Sequence, residues 1–129
     1  MHKGFLVWAA AMGALAVILG AFGAHKLKEL VPPETVSTFQ TGVTYQFYHV
    51  FALLAVGILY AHIPGPQLIW AGRCFIGGIL LFSGSLYLLT VLKMTNNVGL
   101  RGIGIITPIG GLVFIVGWVN LLLGVLKIK

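Results

Sequence analysis

The amino-acid sequence predicts an all-α membrane protein, with four transmembrane helices in an up-and-down bundle with short loops. Hydrophobic residues make up 59% of the 129 residues, charged residues only 8%, and the mean hydropathy is +1.05. In soluble domains about a quarter of the residues are charged. The apolar residues form runs that are long enough to cross the hydrocarbon core as helices, which takes about 20 residues. They lack the roughly ten-residue alternating segments of a transmembrane β-barrel.

The predicted spans cover residues 5–24, 42–61, 68–92 and 103–126. Only short polar connectors separate them, so we expect a single transmembrane domain, residues 1–129, whose neighbouring helices run antiparallel. The N-terminus has a basic residue, an apolar run and a small-residue segment at 20–24, as a signal peptide does. Its apolar run is long for a signal peptide, so we expect a retained first helix.

The connectors predict where the helices begin. Pro32, Pro33 and Glu34 are typical of a helix start, because the first turn does not need the missing N–H group and favours an acidic residue. Residues 34–45 are amphipathic, which indicates an interfacial or protein-packed lead-in to the second span. Residues 63–67 form a turn by their proline and glycine content. Pro108 either kinks the fourth helix or marks its start, and the sequence leaves both open.

The charge distribution indicates contact with membrane lipids. The net charge is +6, but the eight basic residues stand mostly at the ends of predicted helices, where they meet lipid headgroups. No basic stripe with interleaved aromatic residues is present, so we expect no nucleic-acid binding. Basic residues are divided equally between the two membrane sides, which leaves the orientation open. Cys74, the single cysteine, excludes an intramolecular disulfide and a multi-cysteine metal site.

Glycines recur at intervals of seven residues in three of the spans. A seven-residue repeat keeps one helix face toward a partner, and small residues let backbones approach within lipid. The alternative is chance, because 18 glycines in a short chain produce some such spacings. The pattern predicts close packing of the first, third and fourth spans through Gly13, Gly20, Gly77, Gly84, Gly110, Gly117 and Gly124.

Polar side chains enter the second span with the segment TGVTYQFYHV. On a helix, Tyr45, Gln46 and His49 lie on one face together with Gly42. Polar groups in hydrocarbon are costly unless they find partners, so this face is expected to point into the protein. Together with polar residues near the other spans it defines a candidate intramembrane cluster of His25, Gln40, Tyr45, Gln46, Tyr48, His49, Ser83, Ser85 and Tyr87.

Four interpretations of this cluster remain open. It forms a buried hydrogen-bond network, or a path for a proton or small solute. It binds a lipid or quinone headgroup, or His25 and His49 ligate a haem or a metal. The only acidic residues, Glu29 and Glu34, lie in a connector, and no nucleophile triad or phosphate-binding glycine loop is present. We therefore expect no catalytic residue, no cofactor and no metal site.

The first functional hypothesis is a non-enzymatic structural or interaction protein. The alternative is binding or transport of a small solute, a proton or a lipid or quinone at a polar inter-helix site around His49. A single chain of four helices has a narrow interior, so a sizeable pore would need several subunits, and we expect a homo-oligomer. The sequence identifies no specific protein partner.

Four motifs resemble a known family: GAFGAHKLKEL (20–30), FQTGVTYQFYHVFALLAVGIL (39–59), FSGSLYLL (82–89) and ITPIGGLVFIVGW (106–118). The family is that of domain of unknown function 423, which consists of small bacterial and mitochondrial membrane proteins and includes transmembrane protein 256. The resemblance covers nearly the whole chain. It implies a four-helix integral membrane protein, which we expect in a bacterial plasma membrane. It implies no activity, because the family has no assigned biochemical role.

Overall fold

The structure, a computed structural model, describes residues 1–95 and 101–129. In that part of the chain four helices are long and apolar enough to span a membrane, and no strand is present. The elements are α1 (Lys3–Ala24), α2 (Leu27–Leu30), α3 (Pro33–Leu59), α4 (Pro66–Gly78), a π-helical segment (Ile79–Ser83), α5 (Gly84–Met94) and α6 (Arg101–Val125). The third span is continuous from α4 through the π-helical segment into α5. The predicted all-α membrane fold is confirmed.

Helices α3 and α6 begin before the apolar runs that predicted them. Helix α3 begins at Pro33, as its proline and acidic first turn predict, so this 27-residue helix starts ahead of the predicted span 42–61 and ends at Leu59. Helix α6 begins at Arg101, which places Pro108 inside the helix and settles the two alternatives for this residue. The centre of the preceding connector, residues 96–100, lies outside the described residues.

Helices α1 and α3 pack antiparallel through small residues. Gly13 lies opposite Val50 and Gly20 opposite Val43, each at ordinary contact distance. The side chain of Leu6 lies against Gly57, so closely that a Cβ atom there would be 2.7 Å from a methyl carbon of Leu6. Apart from Phe5 near its start, the buried positions of α1 are also small, and they recur at an interval of seven residues: Ala9, Ala16 and Gly23. Without bulky side chains between them, the two backbones approach closely.

Helices α4 and α6 pack antiparallel through a second seven-residue register. Gly124 lies against Leu68, Gly117 against Phe75, and Gly110 directly against the backbone of Phe82. A Cβ atom on Gly117 would be 2.8 Å from the ring of Phe75. The side chains of Leu68 and Phe75 on α4, and the backbone of the π-helical segment at Phe82, thus fill the space that the three glycines of α6 leave open.

The other two glycines of the predicted stripes have different surroundings. A Cβ atom on Gly77 would meet Val113 at 3.8 Å, which is ordinary contact between α4 and α6. Gly84 meets only a carbonyl of its own helix at 4.0 Å. Of the glycines that recur at seven-residue intervals, Gly84 is therefore one that meets no atom of another described helix within 4 Å.

The four spans form a series in which α3 contacts α1 on one side and the α4–α5 span on the other, and the α4–α5 span contacts α6. Buried apolar residues form two clusters, one near the chain termini around Leu53 and Phe75 and one near the opposite end around Leu27 and Phe39. Polar side chains of α3 and the third span lie between these clusters. The fold thus brings the polar residues together at the middle of the bundle.

Candidate functional site

Gln46 connects three helices at the middle of the bundle. Its Nε2 donates to the backbone oxygen of Met12 on α1 at 2.7 Å, and its Oε1 accepts from the hydroxyl of Tyr87 on α5 at 2.6 Å. The side chain is only 1% exposed. Because a buried amide is costly without partners, these two bonds specify the positions of α1 and α5 relative to α3.

Two serines, one at the end of the π-helical segment and one at the start of α5, connect the third span to its neighbours. Ser83 donates to the backbone oxygen of Gly42 on α3 at 2.7 Å. Ser85 donates to the backbone oxygen of Phe82, and its Oγ lies 2.5 Å from Oγ1 of Thr107 on α6. A hydroxyl has one proton. Since Ser85 uses its proton on Phe82, Thr107 is the donor in the bond that joins α5 to α6.

His49 joins α3 to α6. Its Nδ1 lies 2.7 Å from the backbone oxygen of Tyr45, and its Nε2 lies 3.0 Å from Nε1 of Trp118. A carbonyl only accepts and an indole N–H only donates, so Nδ1 carries the proton and Nε2 accepts. The imidazole is therefore held neutral, with both nitrogens occupied. Its ring stacks on Phe114 with 3.5 Å between centroids and 8° between planes.

The remaining residues of the predicted cluster lie at its edges. Gln40 donates to the backbone oxygen of Gly20 at 3.4 Å, which adds another bond between α3 and α1. His25 is exposed at the C-terminal end of α1. Gly23 lies against Gln40, nine residues before His49 on α3, or about 13 Å along the helix. The structure therefore does not bring His25 and His49 together.

The polar groups of the buried part of the cluster are used in bonds between helices; these residues are Gln46, His49, Ser83, Ser85 and Tyr87. Among the described residues, every buried side-chain nitrogen and oxygen has a hydrogen-bond partner, and no group of three or more histidine, cysteine or acidic side chains has the arrangement of a metal site. Neutral side chains that are bonded to fixed partners have no free position for a passing proton or solute. This geometry favours the interpretation as a structural network over a path.

A cleft lies beside this network, between α3 and α6, and we call it the aromatic cleft. Its volume is about 970 Å³. The π-helical segment contributes Phe82, and α6 contributes the helix-interior Pro108, so irregularities of two helices meet at its wall. The lining consists of Tyr45, Tyr48, His49, Phe51, Phe82, Pro108, Gly111, Leu112, Phe114, Ile115 and Trp118.

The two tyrosines of α3 belong to this cleft rather than to the buried network. Tyr45 is 40% exposed and Tyr48 is 57% exposed. Their rings meet edge to face at 5.6 Å, and the Tyr45 ring lies 4.8 Å from that of Phe82. Within the part of the chain that the structure describes, neither hydroxyl has a hydrogen-bond partner. Both tyrosines therefore present unused polar groups in apolar surroundings.

Sequence reasoning missed the residues of α6 that complete this region. Phe114 and Trp118 lie four residues apart, so they share a helix face, and together they cover His49. The available signal was Trp118 itself, because an indole N–H that enters a membrane span needs an acceptor. Gly42, which the sequence places on the polar face of α3, has a role that the sequence did not predict. A Cβ atom there would lie 2.9 Å from the ring of Tyr87, so the small size of Gly42 admits that ring.

Comparison with known proteins identifies the family. The model of "Protein of unknown function (DUF423)" matches residues 19–111. A UPF0382 membrane protein of Staphylococcus saprophyticus is 41% identical over 126 residues, which covers 98% of this chain and 99% of that protein. The chain belongs to the DUF423 family. No solved structure matches it.

Other relatives agree with this assignment. The UPF0382 membrane protein YwdK of Bacillus subtilis is 38% identical, over 97% of this chain and 98% of that protein. The UPF0382 inner membrane protein YgdD of Escherichia coli K12 is 35% identical, over 96% of this chain and 90% of that protein. Together with the four spans, these relatives confirm the predictions of an integral protein of a bacterial plasma membrane and of a family whose biochemical role is unassigned.

For this DUF423 protein the matched region includes every residue of the predicted polar cluster, from His25 to Tyr87. It ends at Gly111, before Phe114 and Trp118 of the aromatic cleft. The relatives align over nearly the full length, so α6 is part of the shared chain. Nothing in the family's description indicates catalysis.

Proposed function

We propose that this protein is a non-catalytic binding protein of the membrane interior, which takes up an amphiphilic, membrane-resident molecule into the aromatic cleft. The observation that carries the proposal is the cleft itself: about 970 Å³ between α3 and α6, lined by aromatic rings. Small-molecule sites in proteins occupy about 300–1,000 Å³ and combine apolar walls with a few polar groups. The cleft has this composition.

The position of the cleft supports a ligand that comes from the bilayer. Its rim residues Tyr48, Phe51 and Leu112 are each more than half exposed, and they lie within membrane-spanning helices. The opening therefore faces lipid rather than water. A molecule that is dissolved in the bilayer reaches it by sideways diffusion, without crossing the headgroup region.

The hydrogen-bond network beside the cleft supports a rigid binding protein rather than a transporter. Gln46, Ser83 and His49 are each bonded to another helix, which holds the walls in one arrangement. Rigid walls bind without first being ordered, and this lowers the entropic cost of binding. The structural hypothesis and the binding hypothesis thus refer to two adjacent parts of one molecule.

Filling the cleft tests the proposal. A Cβ atom on Gly111 would meet only the ring of Phe82 at 3.8 Å, so Gly111→Leu places a side chain into the cleft. Gly104→Leu is the matched control, because Gly104 is on the same helix and has open space around it. Protein in nanodiscs made from bacterial lipid extract is analysed by native mass spectrometry.

We expect the wild type and Gly104→Leu to retain a bound molecule of defined mass after collisional removal of bulk lipid, and Gly111→Leu to lose it. Equal retention by all three proteins would place any bound molecule outside the cleft and contradict the proposal. A wild type that retains no molecule from the extract would also contradict it.

A further inference from the structure

We propose that the head of the bound molecule is a neutral planar ring with carbonyl oxygens, of the quinone class, on an apolar tail. This inference rests on the proposed binding function of the aromatic cleft. Three observations specify the chemistry: the absence of charged side chains from the cleft lining, the faces of its rings, and its two unused hydroxyl groups.

The missing charge argues against a phospholipid head. The cleft lining contains no lysine, arginine, aspartate or glutamate. A phosphate in this cleft would lose its hydration without gaining a counter-charge. A neutral ring has no such requirement, because it is soluble in the hydrocarbon core.

The walls favour a flat aromatic head over an acyl chain alone. Trp118 is 44% exposed although its N–H is bonded to His49, so part of its indole remains open toward the cleft. The ring of Phe82 lies between those of Tyr45 and Phe114, at 4.8 and 5.6 Å. Offset or edge-to-face arrangements of rings at about 4.5–7 Å are favourable beyond the burial of area. A planar ligand ring in the cleft makes the same kind of stacked or edge-to-face contact with these side chains.

The polar groups of the lining favour carbonyl oxygens on that head. The nitrogens of His49 are both in use, and the N–H of Trp118 donates to one of them. The hydroxyls of Tyr45 and Tyr48 are the unused donors of the lining. An acyl chain would leave both of them unpaired in apolar surroundings, whereas a quinone carbonyl accepts from a phenol.

Fluorescence of Trp118 provides the test, because a bound quinone quenches a neighbouring indole. The reporter protein carries Trp8→Phe and Trp70→Phe, which replaces the two other tryptophans, both of them exposed, and leaves Trp118 as the single fluorophore. It is placed in phosphatidylcholine nanodiscs and titrated with 2,3-dimethyl-1,4-naphthoquinone. The matched control is Trp118→Phe, which keeps Trp8 and Trp70 outside the cleft.

We expect saturable quenching of Trp118 and only linear, collisional quenching in the control. Adding Tyr45→Phe and Tyr48→Phe to the reporter removes the two donors and weakens the apparent affinity about fivefold or more. Both hydroxyls lack partners within the described chain, so these changes are expected to preserve folding, which a circular-dichroism melting curve checks. The single change Tyr48→Phe, at the more exposed residue, is the milder variant.

Linear quenching of Trp118, or saturable quenching that is unaffected by loss of both hydroxyls, would overturn this inference. If native mass spectrometry still shows a molecule that Gly111→Leu loses, the binding function stands and the ligand is of another class, such as an acyl lipid. If no molecule is retained either, both the binding function and the quinone class are wrong.

Discussion

Polar side chains at the middle of this protein act as connections between helices. Gln46, His49, Ser83 and Ser85 each bond to a group on another helix, so neighbouring spans are joined by specific hydrogen bonds. Lipid supplies no hydrophobic drive for association of spans, so such bonds and close packing determine which helices meet. At the scale of single residues, these four side chains therefore join specific pairs of neighbouring spans.

A double-mutant cycle at Gln46 and Tyr87 measures one of these connections. Gln46→Leu removes the acceptor Oε1 of the bond from the Tyr87 hydroxyl and the donor Nε2 of the bond to the Met12 carbonyl, and we expect a loss of about 1–2 kcal/mol in the free energy of unfolding. Tyr87→Phe removes the other partner of the same bond. The coupling free energy between the two changes is expected near 0.5–2 kcal/mol.

The measurement is reversible unfolding in mixed micelles, followed by circular dichroism. Thr41→Ala serves as the control, because the Thr41 hydroxyl is exposed and donates to the backbone oxygen of Ser37 within the same helix, α3. Strictly additive effects of Gln46→Leu and Tyr87→Phe would show that the observed bond contributes nothing to stability.

His49 and Trp118 allow a second prediction at this scale. His49→Phe keeps the stacked ring against Phe114 but leaves the indole N–H of Trp118 without an acceptor. We expect a loss of about 1–3 kcal/mol in the free energy of unfolding. Adding Trp118→Phe to His49→Phe removes the orphaned donor, so the double variant is expected to lose less than the sum of the two single variants. Thermal melting in nanodiscs measures this, and additive losses would contradict the bond.

Helices of this protein meet where glycine removes a side chain. The seven-residue spacing of Gly110, Gly117 and Gly124 predicted a packing face of α6, and each of the three lies against α4 or the π-helical segment. On α1 the buried interval consists mainly of alanine, Ala9 and Ala16 ahead of Gly23, and the predicted Gly13 and Gly20 lie at ordinary contact distance. The sequence shows that small residues recur at regular spacing. Which of them are buried against a neighbouring helix depends on the rotation of each helix about its axis.

Adjacent glycines on α6 allow a matched test at the scale of elements. A Cβ atom on Gly110 would collide with the backbone nitrogen of Phe82, whereas one on Gly111 would meet only the ring of Phe82 at 3.8 Å. Alanine is the better helix former at both positions, by about 1 kcal/mol. We expect Gly110→Ala to lower the free energy of unfolding by about 1–3 kcal/mol, because backbone atoms at the collision must shift.

Gly111→Ala is expected to leave the free energy of unfolding unchanged or to raise it slightly. Equilibrium unfolding of both variants in the same micelles compares the two. Equal stability of the two variants would show that α6 and the π-helical segment are less closely packed at this point than the structure has them.

The whole molecule is a series of spans with unequal burial. Within their most apolar windows α3 is 50% buried and the third span 39%, but α1 and α6 only 17% each. The outer two helices therefore leave most of their surface to lipid or to further copies of the chain. Homo-oligomerisation, which the sequence suggested from the narrow interior of four helices, stays a prediction.

Native mass spectrometry in mild detergent and photobleaching steps of a labelled protein in nanodiscs measure the number of subunits. We expect two or more copies. The same number of subunits at high dilution would indicate a stable assembly. A single copy in both measurements would show that the protein is a monomer and contradict the prediction.

The sequence by itself determined the class of the protein, the number of its spans and the helix start at Pro33. These follow from local quantities: hydropathy over about 20 residues, and the chemistry of proline and glutamate in a first helical turn. It also identified polar side chains that must turn inward, because Gln46 and His49 cannot face hydrocarbon unpaired.

Only the tertiary structure decided which partners those side chains find and what lies beside them. The acceptor of Gln46 is a backbone oxygen, which no residue type reveals, and the pairing of His49 with Trp118 depends on the rotation of α6 about its axis. The aromatic cleft arises where the helix-interior Pro108 and the π-helical segment meet. The cleft depends on how the two helices pack against each other, and the sequence of either helix alone does not specify it.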